Sequence, residues 1–159
     1  MMKAVKTAFA VLALAAASAG VAAEPVSAQR MEMNQTESVE SRYGFDETVG
    51  RLAEAVKSKG MTVFAVIDHQ AAAQAAGLKM QPAKVIVFGT PKAGTPLMLK
   101  DPDFALQLPL RVLVTETDGK VRAVFNNTRS LVSGSKIAYE DVAETLAKAE
   151  TLIRKTVAE

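Results

Sequence analysis

The dipeptide Asp118-Gly119 lies between two runs of alternating apolar and polar residues, and this arrangement constrains the fold more than any other feature of the chain. Asp-Gly between strand-forming runs is a hairpin signal, because both residues tolerate the positive φ of a tight two-residue turn. Centring the turn there pairs Val112 with Phe125, Val114 with Ala123 and Glu116 with Val121. On the other face Thr115 meets Arg122, and Arg111 meets Asn126. One face is therefore apolar and the other mostly polar, as in a sheet covered on one side by helices. Leu113 and Val124 interrupt the polar face as a pair, so they mark either a second buried patch or a contact in a homodimer.

The remaining elements are read around this hairpin. Residues 39–43 form a short strand. A helix follows, with Asp46 expected as its N-cap and Phe45, Val49, Leu52 and Val56 on one face. Lys59-Gly60 stops it. Residues 61–67 are dense in β-branched and aromatic side chains and predict a strand buried on both faces. A short alanine-rich helix over 71–76 and a buried strand over 84–88 come next. Residues 90–103 hold Pro91, Gly94, Pro96 and Pro102. They predict a long loop, with at most a short helix around 97–99. Residues 139–157 predict one long helix with Val142, Leu146, Ala149, Ile153 and Val157 as its core stripe. Glu144–Lys148 and Glu150–Arg154 form i,i+4 pairs on that helix. The order β-α-β-α-β-loop-β-β-α implies a single compact α+β domain over residues 38–157, with a mixed or antiparallel sheet covered by helices.

Ahead of this domain, residues 1–23 read as a secretory signal peptide. Lys3 and Lys6 open it, residues 8–17 are uncharged and apolar, and Val21-Ala22-Ala23 supplies small residues before a cleavage point. Cleavage is expected before Glu24, or alternatively before Gln29 after Val26-Ser27-Ala28. A retained span needs ~20 apolar residues. Ser18 and Gly20 interrupt this run, so no stable membrane span is expected after cleavage. Residues 24–37 are a polar, flexible lead-in. The expected location is the periplasm or the exterior.

Export changes the charge argument. The full chain has 19 basic and 17 acidic residues, a net +2. Losing the two signal-peptide lysines leaves 17 of each, and cleavage before Gln29 gives +1. A near-neutral chain with 5% aromatic residues makes no case for a nucleic-acid partner. The chain has no cysteine, which excludes disulfides, thiolate metal sites, a cysteine nucleophile and a lipidated cysteine anchor. Packing alone must hold the exported domain together.

Few residues are candidates for chemistry. Asp68-His69 falls where a strand ends, and His69 is the only histidine. An imidazole titrates near neutrality and serves as a base or as an anion donor. The alternative is that His69 caps the next helix or lies on the surface. Residues 89–96 (Gly-Thr-Pro-Lys-Ala-Gly-Thr-Pro) also follow a strand. Their backbone N–H groups and Lys92 offer an anion nest, although the spacing is not that of a phosphate-binding Walker loop and two prolines remove donors. The plainer reading is a rigid turn. Asn126 and Asn127 close the hairpin as turn residues or ligand contacts. One histidine leaves no histidine-rich metal site, no G-x-S-x-G elbow is present, and no catalytic set is complete. No cofactor is expected. Met31 and Met33 offer thioethers to Cu(I).

Several stretches in order resemble the family called domain of unknown function 302. They are Ser41-Arg42-Tyr43-Gly44-Phe45-Asp46-Glu47-Thr48, Val66-Ile67-Asp68-His69, Val87-Phe88-Gly89-Thr90-Pro91-Lys92, and Leu108-Pro109-Leu110 ahead of the hairpin. The resemblance covers roughly residues 38–157. It implies a compact α+β domain of bacteria and archaea and brings no particular activity with it. Asn126-Asn127-Thr128 departs from the Asn-Asp-Pro-like turn that the family often shows, so the resemblance assigns no acidic group there.

The combined expectation is an exported, non-catalytic binding or interaction module, homodimeric, acting on a small molecule or a protein. The alternative is an anion binder or enzyme using His69 with Asp68, Lys92 and Asn126. A third reading is Cu(I) handling by Met31 and Met33.

Overall fold

The computed structural model describes residues 35–159. The signal-peptide segment, both cleavage points and Met31 and Met33 lie outside the described residues. The chain runs β1 (Thr36–Glu40), α1 (Phe45–Ser58), β2 (Thr62–Asp68), α2 (His69–Ala75), β3 (Ala83–Gly89) and α3 (Pro91–Lys100). A 3-10 helix (Pro102–Gln107) follows, then β4 (Leu110–Thr117), β5 (Lys120–Asn126), α4 (Thr128–Val132), α5 (Tyr139–Val142) and α6 (Leu146–Ala158). The five strands form one antiparallel sheet in the order β1-β5-β4-β3-β2. The fold is α+β, as expected.

The hairpin has the anticipated register. Val112 pairs with Phe125, Val114 with Ala123, Thr115 with Arg122 and Glu116 with Val121. Asp118 and Gly119 carry φ of 52° and 73°, as a tight turn requires. Val112, Val114, Ala123 and Phe125 are buried beneath α1 and α6 together with Leu52, Val56, Ile86, Phe88, Ala149, Ile153 and Val157. A second cluster joins Leu97, Phe104, Leu131, Val132, Ile137, Val142 and Leu146 beyond the end of the sheet. On the opposite sheet face Val85, Val87, Leu113 and Val124 remain partly exposed.

Helix α1 is capped by Gly44, not by Asp46. Phe45 must enter the helix to reach the core, which places Asp46 in the first turn, where its carboxylate accepts from Lys84 Nζ at 3.1 Å. Buried Thr48 donates its hydroxyl to Gly44 O and shares a 2.7 Å bond with Ser41 Oγ. The C-terminus closes as expected. Gly60, at φ 74°, donates to Lys57 O and Met61 donates to Val56 O.

Four further expectations are corrected. The first strand is Thr36–Glu40, not 39–43: Ser41 N makes one more in-register bond, to Val121 O, and Arg42 then turns away to bond Val157 O. Strand β2 is not buried on both faces. It is a sheet edge, with Phe64, Val66 and Ile67 50%, 47% and 46% exposed. A run of apolar residues has the same signature at an edge as at the centre of a sheet. Strand β3 pairs with β2 antiparallel on one side, and among the described residues no strand lies on its other side.

Residues 90–103 do not form a long loop. Pro91 stands at the first helical position, where no N–H donor is needed, and Thr90 Oγ1 accepts from Lys92 N at 3.3 Å. Pro96 is accommodated inside α3 with exposed Lys92 one turn before it, so the carbonyl it leaves free can be hydrated. Finally, the C-terminal helix is two helices. Thr145, at φ −124° and ψ −83°, breaks it. Helix α5 then serves the second cluster, while α6 lies on the sheet. Asp141 accepts from Lys100 Nζ and from Ala138 N at 2.8 Å, and these bonds hold its carboxyl below the usual carboxylate range.

Candidate functional site

The register separates the residues singled out in the sequence. Asp68 pairs with Lys84, at the start of β3, whereas Thr62 pairs with Gly89, at its end. Asp68 and His69 therefore sit at one end of the sheet. Lys92 follows Gly89 at the other end, and Asn126 ends β5 there too, since β3 and β5 run in the same direction. Strands of this length put about 20 Å between the two ends. The grouping of His69 with Lys92 and Asn126 is not formed. Expecting strand ends to converge suits a parallel sheet, and in an antiparallel one neighbouring C-termini alternate.

Each residue also has a local structural role. Asp68 is the N-cap of α2, with Oδ1 accepting from Ala71 N at 2.8 Å. Its other oxygen lies 3.7 Å from Lys84 Nζ. Hydrogen bonding to Asp46, and then the charges of Asp46 and Asp68, hold the Lys84 ammonium above its usual range against the opposing cost of desolvation. His69 is the exposed first residue of α2, and exposed Lys92 lies in the first turn of α3. Asn126 pairs with Thr36 in the sheet, and Asn127 caps α4 by accepting from Arg129 N at 2.9 Å.

A different site is present. The excursion between β3 and β4 carries α3 and the 3-10 helix, and a cleft of about 580 Å³ opens beneath α3. One wall is the first two turns of α3, from Thr90 to Met98. The floor is Leu108, Pro109 and Leu110, with a cis peptide between Leu108 and Pro109. Met61, just before β2, and Phe64 of β2 line it on one side, and Leu146, Ala149 and Leu152 enter from α6. Two glycines shape these walls. A Cβ on Gly94 would come within 3.2 Å of Leu108 Cδ1, so α3 lies close against the floor. A Cβ on Gly89 would meet Phe64 and Pro109 at 3.8 Å, an ordinary contact.

The charged lining residues Lys59, Glu144 and Lys148 are all exposed, and Glu144 is ion-paired to Lys148. The remaining polar side chains are the hydroxyls of Thr90, Thr95 and Thr145. Such a lining desolvates apolar surface, worth about 25 cal/mol per Å². It holds no histidine, cysteine or serine, and its single carboxylate lies outside the apolar interior, so no acid–base couple faces a bound molecule. Among the described residues no group of His, Cys, Asp and Glu gathers as a metal site, and no helix is long and apolar enough to cross a membrane.

The segment 89–96, read from the sequence as an anion nest or a rigid turn, does line this site, but the site's apolar character was not legible, because Met61 and Phe64 read as core and residues 90–103 as loop. The available signal was the length of the segment between β3 and β4, together with its apolar residues Leu97, Met98 and Leu108.

The DUF302 model, a domain of unknown function, matches residues 37–158. The chain belongs to the DUF302 family. A crystal structure of a DUF302 protein from Bacillus stearothermophilus superposes with a TM-score of 0.59 at 20% identity, covering 78% of this chain and 93% of that one. At that identity it establishes the shared fold. Among curated proteins, fluoride-specific ion channel FluC 1 of Brucella suis biovar 1 (strain 1330) is 44% identical over 90 residues, 56% of this chain and 35% of that protein. FluC 1 of Brucella abortus biovar 1 (strain 9-941) matches at the same identity over 33% of its length. The DUF302 chain thus corresponds to about a third of the length of these relatives.

Proposed function

We propose that this protein is an exported, non-catalytic binding module that takes an apolar small molecule into the cleft beneath α3. The observation that carries the reading is the cleft itself, whose volume of about 580 Å³ falls within the range of small-molecule sites, ~300–1,000 Å³. Its apolar interior, with charge confined to exposed residues, suits binding without chemistry. The pattern of residues 1–23 supports export. The 90-residue stretch that recurs inside longer channel proteins supports a module able to stand beside other domains.

The uncharged fluorophore N-phenyl-1-naphthylamine tests the cleft. The protein is expected to enhance its emission saturably, with one site per chain. Gly89→Leu fills the space between Phe64 and Pro109 from a backbone position that accepts a Cβ, and is expected to weaken binding at least tenfold with the circular dichroism spectrum retained. An unchanged titration in Gly89→Leu would place the dye elsewhere and remove the proposal.

A second reading, homodimerisation, rests on the open sheet face. Ile67 pairs with Val85, Val85 with Leu113, and Leu113 with Val124, so one apolar row crosses four strands. A second copy stacked on that row would cover it. Light scattering after size exclusion is expected to give a dimer mass, and Leu113→Lys a monomer. A monomeric wild-type protein at high micromolar concentration ends this reading.

A further inference from the structure

We infer that the ligand of the cleft is a free single-chain carboxylate, a fatty-acid-like amphiphile with its tail inside and its head at Lys59. The inference rests on the cleft being the binding site. The first ground is the distribution of polarity. The partly or fully buried side chains Met61, Met98, Leu146 and Leu152 are apolar, and every charged lining residue is exposed at the mouth. An apolar interior with a charged mouth matches a molecule with a tail and a head. The two methionines suit a flexible chain, since unbranched thioether side chains adapt to varied shapes.

The second ground is the charge balance at that mouth. Glu144 neutralises Lys148 through their ion pair. Lys59, which follows α1 as its C-cap, makes no ion pair among the described residues. Among the described residues, one positive charge is thus left without an ion-pair partner beside the apolar opening. A cationic head would meet net repulsion there, and an uncharged head would leave the lysine unused. The third ground is size and geometry. A cleft of about 580 Å³ holds one alkyl chain, whereas a phospholipid brings two. No arginine lines it, so the bidentate fork that commonly recognises a phosphate is absent from the lining, and a lone ammonium serves a carboxylate as a point charge.

The test is displacement of N-phenyl-1-naphthylamine, at low salt and below micellar concentrations, by dodecanoate, dodecanol and dodecyltrimethylammonium. Dodecanoate is expected to bind about three- to fivefold more tightly than dodecanol, the usual size of a solvent-exposed ion-pair effect, and the ammonium amphiphile more weakly than either. Affinity should rise about fourfold per added methylene from octanoate to dodecanoate. Lys59→Gln is expected to bring the carboxylate-to-alcohol ratio close to one, and Lys59→Glu to invert it. Vesicles of phosphatidylglycerol are expected not to sediment the protein. Equal affinity for carboxylate and alcohol, preference for the ammonium, a ratio unmoved by Lys59→Glu, or co-sedimentation with vesicles overturns the inference. If the fluorophore binds and Gly89→Leu blocks it while the carboxylate preference is missing, the cleft reading stands and only the ligand class falls. If the fluorophore does not bind, both fall.

Discussion

Phe88→Ala is expected to lower the stability of the fold by about 3–5 kcal/mol, the range for a fully buried aromatic truncated to Ala. Phe88 is 0% exposed on the helix-facing side of β3, a central strand. It lies between Val63 of β2 and Leu110 of β4 in the cross-strand register. It belongs to the cluster that joins Leu52 and Val56 of α1 to Ala149 and Ile153 of α6. These groups are held by three strands and two helices, so they cannot collapse into the space the ring leaves. The lost transfer energy and the residual cavity therefore add. At a few degrees per kcal/mol for a domain of this size, the melting temperature should fall by about 10–20 °C. Phe64→Ala removes the same ring from the exposed edge strand and should cost less than about 1 kcal/mol. Thermal unfolding followed by circular dichroism compares the two. Equal losses would mean that β2 is covered in solution and is not an edge.

The second large effect is expected at Glu150. Its carboxylate accepts from Thr128 N at 3.0 Å, from Thr128 Oγ1 at 2.7 Å and from Arg154 Nη2 at 2.9 Å. Arg154 is also ion-paired to Glu37 of β1, and Glu37 accepts from Asn127 Nδ2 at 2.6 Å. One network thus ties the last helix to the first strand and to the turn that starts α4. Thr128 is only 2% exposed, so water cannot readily replace the carboxylate once it is removed. Glu150→Ala should destabilise by about 2–3 kcal/mol, because it strands two buried donors. Glu150→Gln keeps one acceptor and should cost less. Pairing Glu150→Ala with Thr128→Val should recover part of the loss, with a coupling above about 1 kcal/mol. Urea denaturation midpoints of wild type, Glu150→Ala, Thr128→Val, the double variant and Glu150→Gln measure these effects. Strict additivity would show that the Glu150–Thr128 bonds carry no stability.

The Glu150–Arg154 pair was visible in the sequence as an i,i+4 spacing, and as such is worth only a few tenths of a kcal/mol. Its larger role comes from Thr128, which is 22 residues away, a contact that no helical spacing encodes. The same contrast runs through the fold. Local periodicity sufficed wherever the partner of a residue lay within a turn or a hairpin. The register around Asp118-Gly119, the stripe Leu52–Val56 and the stop at Gly60 were all legible for that reason. Composition misled where the environment is tertiary. Residues 61–67 have the make-up of a core strand and became an edge. Prolines 91 and 96, read as loop markers, stand at the start of a helix and within it.

The candidate site divides in the same way. Asp68 and Asn126 end strands, His69 follows one directly, and Lys92 lies in the helical turn after β3. Whether strand ends meet depends on strand direction, and the sequence left the sheet mixed or antiparallel. Direction was settled by the pairing of β2 with β3, which is antiparallel. Alternation of strand direction then placed His69 at one end of the sheet and Lys92 and Asn126 at the other.

The α+β class, the hairpin and its register, the core faces of α1 and α6, and a near-neutral, cysteine-free domain behind an expected export signal are all legible from residues 1–159 read in order. These properties depend on neighbours close along the chain or on composition alone. Which strand is the edge, where the last helix breaks, and that the excursion after β3 roofs an apolar cleft emerge only from how the elements pack. Those features depend on which distant surfaces compete to be buried. The cleft in particular is space left between α3, α6 and the end of the sheet, and no single segment of the chain contains it.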